Sequence, residues 1–256
     1  LNFFLSKDSE KNKKTTNLVA KILEDIKENG DKALIKYIKK YEKNDFNNIK
    51  EIQVTRKEID SSKTKCSKDF LNALEVAISR VSDYQAKLLP KNLIYKDKSG
   101  MKLGCLWHPL DSCGLYVPGG KAFYPSSVVM NAVPAKLAGV NRLVITTPSV
   151  DNQIKPEILA AASLIGIDEI YKVGGAQAIG AMTYGTKLIK KVYKIVGPGN
   201  LFVAEAKRQV FGHVGIDSVA GPSEIMIIAD KDNNSKFIAM DLLSQAEHDE
   251  AASSIL

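Results

Sequence analysis

In Asp241-Leu-Leu-Ser-Gln-Ala-Glu-His248 a glutamine and a histidine stand three residues apart. On a helix that spacing puts Gln245 and His248 on one face, where an amide oxygen and an imidazole nitrogen could both reach one cation. Imidazole is the commonest zinc ligand and an amide oxygen a less usual one, so the pair would make half of a tetrahedral site. The same spacing also occurs on ordinary helix faces, and both readings stand at this level. Glu247 is adjacent to His248 and therefore on a different face, which argues for a structural or supporting role.

Three glycine turns offer a second chemistry. Tyr116-Val-Pro-Gly-Gly120, Val173-Gly-Gly-Ala-Gln177 and Gly197-Pro-Gly-Asn200 each close an apolar run. Such turns let the backbone approach a ligand, and a following helix N-terminus favours an anionic phosphate. None has the G-x-G-x-x-G dinucleotide fingerprint in its expected setting, so the residues point to ligand loops without naming the ligand. Ala220-Gly-Pro-Ser-Glu224 sets Ser223 on a sharp turn, but an activated serine needs a nearby histidine and an orienting acid.

Cys113 precedes a glycine and is readable either as a catalytic thiol, as in aldehyde dehydrogenases, or as a small buried residue of a strand. With Cys66 and Cys105 the cysteines are odd in number and lack C-x-x-C spacing, which supports neither a disulfide framework nor a cysteine zinc site. His108 and His213 fall in connecting segments and are read as surface or packing residues.

The elements that must hold these residues follow from periodicity. Leu18, Val19, Ile22, Leu23 and Ile26 recur at helical spacing up to Gly30. A second helix carries Leu34, Ile35, Ile38 and Tyr41, and a third, long one runs from Phe70 to Leu88 before Pro90. Ile52 and Val54 suggest a short strand between them. Leu93–Tyr95 and Met101–Trp107 read as a hairpin around Lys98-Ser-Gly100, leading to a strand at 114–117.

From there short strands (143–147, 169–172, 192–196) alternate with helices (126–137, 157–165, 177–184, 201–210). That alternation specifies an α/β domain with a mostly parallel sheet. A strand at 225–229 and a helix at 235–248 begin another such unit, and Ala252–Leu256 reads as entry into a strand. The chain starts without Met and stops as a strand begins, so a piece lacking its C-terminal part is expected.

Composition excludes some classes. The 256 residues are 45% hydrophobic and 25% charged, as in soluble globular proteins. No apolar run approaches the roughly 20 residues of a membrane span, which points to the cytoplasm. The net charge of +7 raises a nucleic-acid partner. Only Arg56, Arg80, Arg142 and Arg208 are arginines, however, and the lysines, Lys36, Lys39, Lys40 and Lys43 among them, read as solvated helix faces. Nucleic acid is set aside on that patterning.

Lys194–Arg208, Ala220–Glu224, Ser244–His248, Cys113–Gly120 and Val173–Ile179, in their chain order, resemble the histidinol dehydrogenase family. The resemblance implies two incomplete Rossmann-like domains of the aldehyde dehydrogenase-like group with a helical N-terminal region. One would use residues 1–116 plus 223–256, and the other, contacting NAD, would be inserted as 117–222. It implies oxidation of L-histidinol through the aldehyde to L-histidine, the last step of histidine biosynthesis, with two NAD and one zinc, in a homodimer. Tyr116, Gln177 and Asn200 match NAD-contacting positions, Ser223 a substrate-contacting one, and Gln245 and His248 ligands to zinc and contacts to substrate. The acid–base pair, an adjacent Glu and His, and the remaining zinc ligands are expected beyond Leu256, which would leave this stretch inactive alone. Ser218-Val219 replaces the more usual Met-Pro, a change of local packing. A non-catalytic nucleotide- or metal-binding remnant and a Cys113 enzyme remain the alternatives.

Overall fold

Apolar side chains follow one another along Ser112–Tyr116 (β3), Arg142–Thr147 (β4) and Glu169–Lys172 (β5), as in strands covered on both faces. A computed structural model of the chain, which describes residues 2–119, 124–219, 224–247 and 252–256, builds them into one sheet. Lys194–Val196 (β6) and Gly215–Ile216 (β7) complete it, in the order β5-β4-β3-β6-β7. All four neighbouring pairs are parallel.

The pleat sends alternate residues to opposite faces. Cys113, Leu115, Leu143, Ile145 and Ile170 enter one core, and Tyr116, Val144, Tyr171 and Ile195 the other. The first core is covered by Pro125–Leu137 (α5) and Pro156–Ile165 (α6), through Val128, Val129, Ala132, Ile158 and Leu159. The second is covered by Gly175–Tyr184 (α7) and Leu201–Val210 (α8), through Ile179, Met182, Val203 and Ala206. Successive crossovers therefore cover one face of the sheet and then the other.

The helical N-terminal region supplies an outer layer to both faces. Asn2–Asn29 (α1) and Asp31–Tyr37 (α2) bring Val19, Ile22, Leu23, Ile26 and Leu34 into the core of α7 and α8. Gly30, at φ 52°, makes the break between them. Helix α2 runs on into a single π-helical turn, Ile38–Glu42. Arg56–Ser62 (α3) and Lys68–Leu88 (α4) bring Ile59 and Leu74 to the other core.

Helix α3 is absent from the expectation, although Thr55-Arg-Lys-Glu58 closes a reciprocal capping box: Glu58 N–H donates to Thr55 Oγ1 at 3.2 Å and Thr55 N–H to Glu58 Oε2 at 2.7 Å. The strand expected at Ile52 and Val54 is instead a 3₁₀ turn, Ile49–Ile52, followed by a single bridge from Gln53 to Tyr171. Both apolar side chains are buried, but the backbone makes no ladder.

Leu93–Lys96 (β1) and Lys102–Cys105 (β2) form the antiparallel hairpin, with every residue exposed. At the opposite end of the sheet from the glycine turns, Arg142 grips Glu169 with two bonds of 2.8 and 2.7 Å and donates to the carbonyls of Lys190 and Lys191. The expected domain boundary at 116/117 falls at the end of β3, the middle strand of the sheet.

Residues 219–256 make a separate compact unit. In it Glu224–Met226 (β8) and Ser253–Ile255 (β9) pair in parallel, joined through Ser235–Ala246 (α9). Asn234 caps that helix by accepting from Lys236 N–H at 3.0 Å. Phe237, Met240 and Leu243 on α9 are exposed. No helix among the described residues is long and apolar enough to cross a membrane.

Candidate functional site

A cavity of about 440 Å³ opens where β3, β4 and β5 end and α8 begins. Tyr116 closes β3, Pro148 and Ser149 follow β4, Gly174 and Gly175 follow β5, and Asn200 follows β6; all line it. In open α/β sheets ligands bind outside the carboxyl ends of the strands, at the point where the strand order reverses. Here chain order runs outward from β3 to β5 and then resumes on the other side with β6, and the cavity lies at that reversal.

The three residues singled out as NAD contacts, Tyr116, Gln177 and Asn200, thus meet in one cavity although they are spread over more than eighty positions. Each is held by a local device. Tyr116 is buried, and its hydroxyl oxygen accepts from Gly175 N–H at 3.1 Å, in the first turn of α7. Burial pushes the phenol up to about 12, so it stays a neutral donor and acceptor. Asn200 is the N-cap of α8, its Oδ1 accepting from Phe202 and Val203 N–H at 3.1 and 3.2 Å. The cap consumes the oxygen and leaves the amide N–H₂ as the group that can donate to a ligand.

Gln177 donates from Nε2 to Glu42 Oε1 at 2.9 Å, and Gly174 N–H shares itself between the two Glu42 oxygens at 3.1 Å each. Glu42 is the functional-looking residue that sequence reading missed. It stands in Lys39-Lys-Tyr-Glu-Lys43, which reads as a solvated charged face. The π-helical turn carries it into the cavity instead. Burial pushes its carboxyl up to about 7, against the pull of the Gly174 N–H and the Gln177 amide.

The Gly197-Pro-Gly turn is clamped from behind. Gly197 has φ 118°, and a Cβ there would lie 2.1 Å from the Tyr116 carbonyl oxygen, so only glycine lets β6 close against β3. Lys207, 2% exposed, donates to the Gly197 carbonyl at 2.9 Å and pairs with Asp217. Asp217 in turn accepts Gly197 N–H at 2.8 Å. Both sides of the glycine are thereby tied to one ion pair, whose lysine is buried and whose aspartate reaches the surface.

The metal half is less complete. Gln245 is half-buried near the end of α9, and its Nε2 has no hydrogen-bond partner among the described residues. That nitrogen can only donate and so cannot hold a cation; the amide oxygen is the atom that could, as an uncommon zinc ligand. Ser223 and His248 lie outside the described residues, as does Gly120. No cluster of three or more His, Cys, Asp or Glu occurs among the described residues.

Of the two readings of Cys113, the structure supports packing. It is buried within β3, paired with Leu143 and Lys194, and burial pushes its thiol up to about 11. A thiol so held is protonated at neutral pH and is no nucleophile. Alkylation with iodoacetamide at pH 7 should therefore modify exposed Cys105 first and reach Cys113 only on unfolding. Labelling of both at one rate, read by peptide mass spectrometry on the native chain, would contradict the packing reading. His213 packs edge-on against Tyr184, their ring centroids 6.0 Å apart, away from the cavity.

Comparison with known proteins agrees with this layout. The family described as "Histidinol dehydrogenase" matches residues 5–256. Histidinol dehydrogenase of Gluconobacter oxydans is 51% identical over 238 residues, which cover 93% of this chain and 55% of that protein. The Clostridium acetobutylicum relative of the same name is 50% identical over 98% of this chain and 58% of its own length. A crystal structure of histidinol dehydrogenase from Elizabethkingia anophelis superimposes with a TM-score of 0.85 at 41% identity, covering 93% of this chain and 55% of that one. The chain thus spans a little over half the length of these relatives, and it belongs to the histidinol dehydrogenase family.

Proposed function

We propose that this chain is the NAD-binding part of a histidinol dehydrogenase, an oxidoreductase that takes L-histidinol through the aldehyde to L-histidine. The observation that carries the reading is the convergence of Tyr116, Gln177 and Asn200 on one cavity at the carboxyl ends of parallel strands. The strand order, reversing beside β3, supports a Rossmann-like arrangement and an extended, dinucleotide-sized ligand. In this reading Asn200 donates to the ligand while capping α8, and the Tyr116 hydroxyl, already accepting from Gly175, turns its hydrogen toward the cavity. Leu18, Ile22 and Phe202 add apolar surface to the cavity against which such a ligand would pack.

Gln245 and His248 are proposed as two zinc ligands and Ser223 as a substrate contact. When bound, zinc supplies Lewis-acid polarisation and orientation of the substrate. By the same resemblance, the Glu-His acid–base pair and the other ligands are proposed to come from the part of the family that these residues do not cover. The 256 residues alone are therefore proposed not to turn over histidinol, since losing one positioned proton-transfer group typically costs about 10²- to 10⁴-fold. A homodimer is proposed as well, supported by the exposed apolar residues Leu93, Ile94, Tyr95 and Trp107 in and beside the hairpin. A cytoplasmic location belongs to the same proposal.

Isothermal titration tests the two binding halves separately. NAD should bind the chain and lose about tenfold in affinity on Asn200→Ala, the scale of one lost hydrogen bond in a desolvated site. Zinc affinity should fall on His248→Ala and hold on His213→Ala. An Asn200→Ala chain that binds NAD unchanged removes the cofactor reading, and equal zinc effects at the two histidines remove the metal reading.

A further inference from the structure

Among the described residues lining the cavity, Glu42 is the only acidic one and none is basic. Its carboxylate accepts from Gly174 N–H and from Gln177 Nε2, with no cation paired to it among the described residues. A carboxylate has about four lone-pair sites, so acceptor capacity remains on a residue that lines the cavity. A partner for it must be a hydrogen-bond donor and not an anion, because a second anion would meet an uncompensated charge in a partly desolvated place.

Its position narrows the partner further. Asn44, two residues on, donates to the Ser149 carbonyl and hydroxyl at 2.9 and 3.0 Å, tying this segment to the turn after β4. Glu42 itself is tied to Gly174, just past β5. The carboxylate therefore stands between the ends of β4 and β5, the second and third strands of the β3-β4-β5 half. In doubly wound nucleotide sites an acid beyond the second strand accepts the adenosine ribose 2′-hydroxyl, and its usual bearer is that strand's own loop. Here the loop after β4 puts Pro148, Ser149 and Val150 on the cavity while its acid, Asp151, does not line it, and the N-terminal helical region brings Glu42 to that place.

We infer that Glu42 is a specificity-determining residue, whose carboxylate accepts the adenosine ribose hydroxyls of the dinucleotide and turns away a 2′-phosphate. The inference rests on the cavity being the NAD site. Burial, which pushes this carboxyl up to about 7, is consistent with a group that hydroxyl donors would hold in its charged form.

Dissociation constants of NAD, NADP and the 2′-deoxyadenosine form of NAD, measured on the native chain, test it without any variant. NAD should bind tightest, with the 2′-deoxy form about tenfold weaker and NADP about 100-fold weaker, as expected for a lost hydrogen bond to a charged group and for phosphate–carboxylate repulsion. Glu42→Gln should cost NAD about tenfold and shrink the NADP penalty to about tenfold or less, whereas Asn200→Ala should weaken NAD and NADP alike. If NAD binds but the three nucleotides bind equally, or Glu42→Gln keeps the wild-type NAD/NADP ratio, Glu42 is only a clamp on the 174–177 turn. If none of the nucleotides binds the folded chain, the cofactor reading itself falls and takes this inference with it.

Discussion

Lys207→Met should destabilise the fold by about 1–3 kcal/mol, the cost of leaving a buried carbonyl without its donor. Lys207 is 2% exposed and touches both Asp217 and the Gly197 carbonyl; its removal orphans that acceptor, while the Asp217 carboxylate, a third exposed, keeps its contact with water. The double variant Lys207→Met/Asp217→Leu should cost less than the sum of the two single variants, because no carboxylate is left without its counter-ion. The midpoints of urea unfolding for the single and double variants are the measurement. A double variant as unstable as the sum of the singles would show that the pair is not coupled.

The same pair sets an acid limit. Desolvation by itself would raise the Asp217 carboxyl, but Lys207 and the Gly197 and Ser218 N–H groups together hold it below the ordinary carboxylate value of 3.8. A lowered folded-state value means that the stabilisation is present above the unfolded value and is lost as pH falls through the folded one. Unfolding followed below pH 4 should thus show a steep loss in the wild type that Asp217→Asn lacks.

Gly197→Ala should be more damaging, on the order of 3–4 kcal/mol, since it joins backbone strain to overpacking. The added carbon would lie 2.1 Å from the Tyr116 carbonyl oxygen, which is backbone and has no flexible end to move aside. β6 would have to part from β3, carrying Asn200 away from Tyr116 and opening the cavity. Gly212→Ala is the control: its φ is 100°, but nothing lies within 4 Å of its added carbon. It should cost only about 1–2 kcal/mol, the left-handed backbone penalty without a clash. Calorimetric melting should separate the two, and equal melting temperatures would mean that the β3–β6 approach tolerates a side chain.

Much of this architecture is legible in the amino-acid order because it depends on local periodicity. Strands such as Leu143–Thr147 and helices such as Leu201–Val210 carry their own apolar rhythm, and Pro90, Gly30 and the glycine turns punctuate it. The three glycine turns, after β3, β5 and β6, could be placed for the same reason, whereas the grouping of Tyr116, Gln177 and Asn200 came only from resemblance to a family. Helix α3 was legible too, in Thr55-Arg-Lys-Glu58, but a seven-residue helix shows barely two turns of apolar spacing. The two-residue strand β7 has no pattern of its own.

Other features depend on which surfaces meet. Glu42 follows a run of lysines, and nothing near it in the chain foretells burial; it enters the cavity because α2 continues into a π-helical turn whose end meets the start of α7. Ile52 and Val54 are apolar enough for a strand, yet no neighbouring edge offered them a ladder beyond one bridge. Cys113 could be a nucleophile or a packing residue until its neighbours were known, because a thiol's reactivity is set by desolvation and nearby charge and not by the glycine that follows it. The Lys207–Asp217 clamp is invisible in the chain order for a related reason: whether a lysine is solvated or buried depends on the partner that folding brings to it. Local rhythm specifies elements, and long-range packing assigns charge, burial and reactivity to the residues they carry.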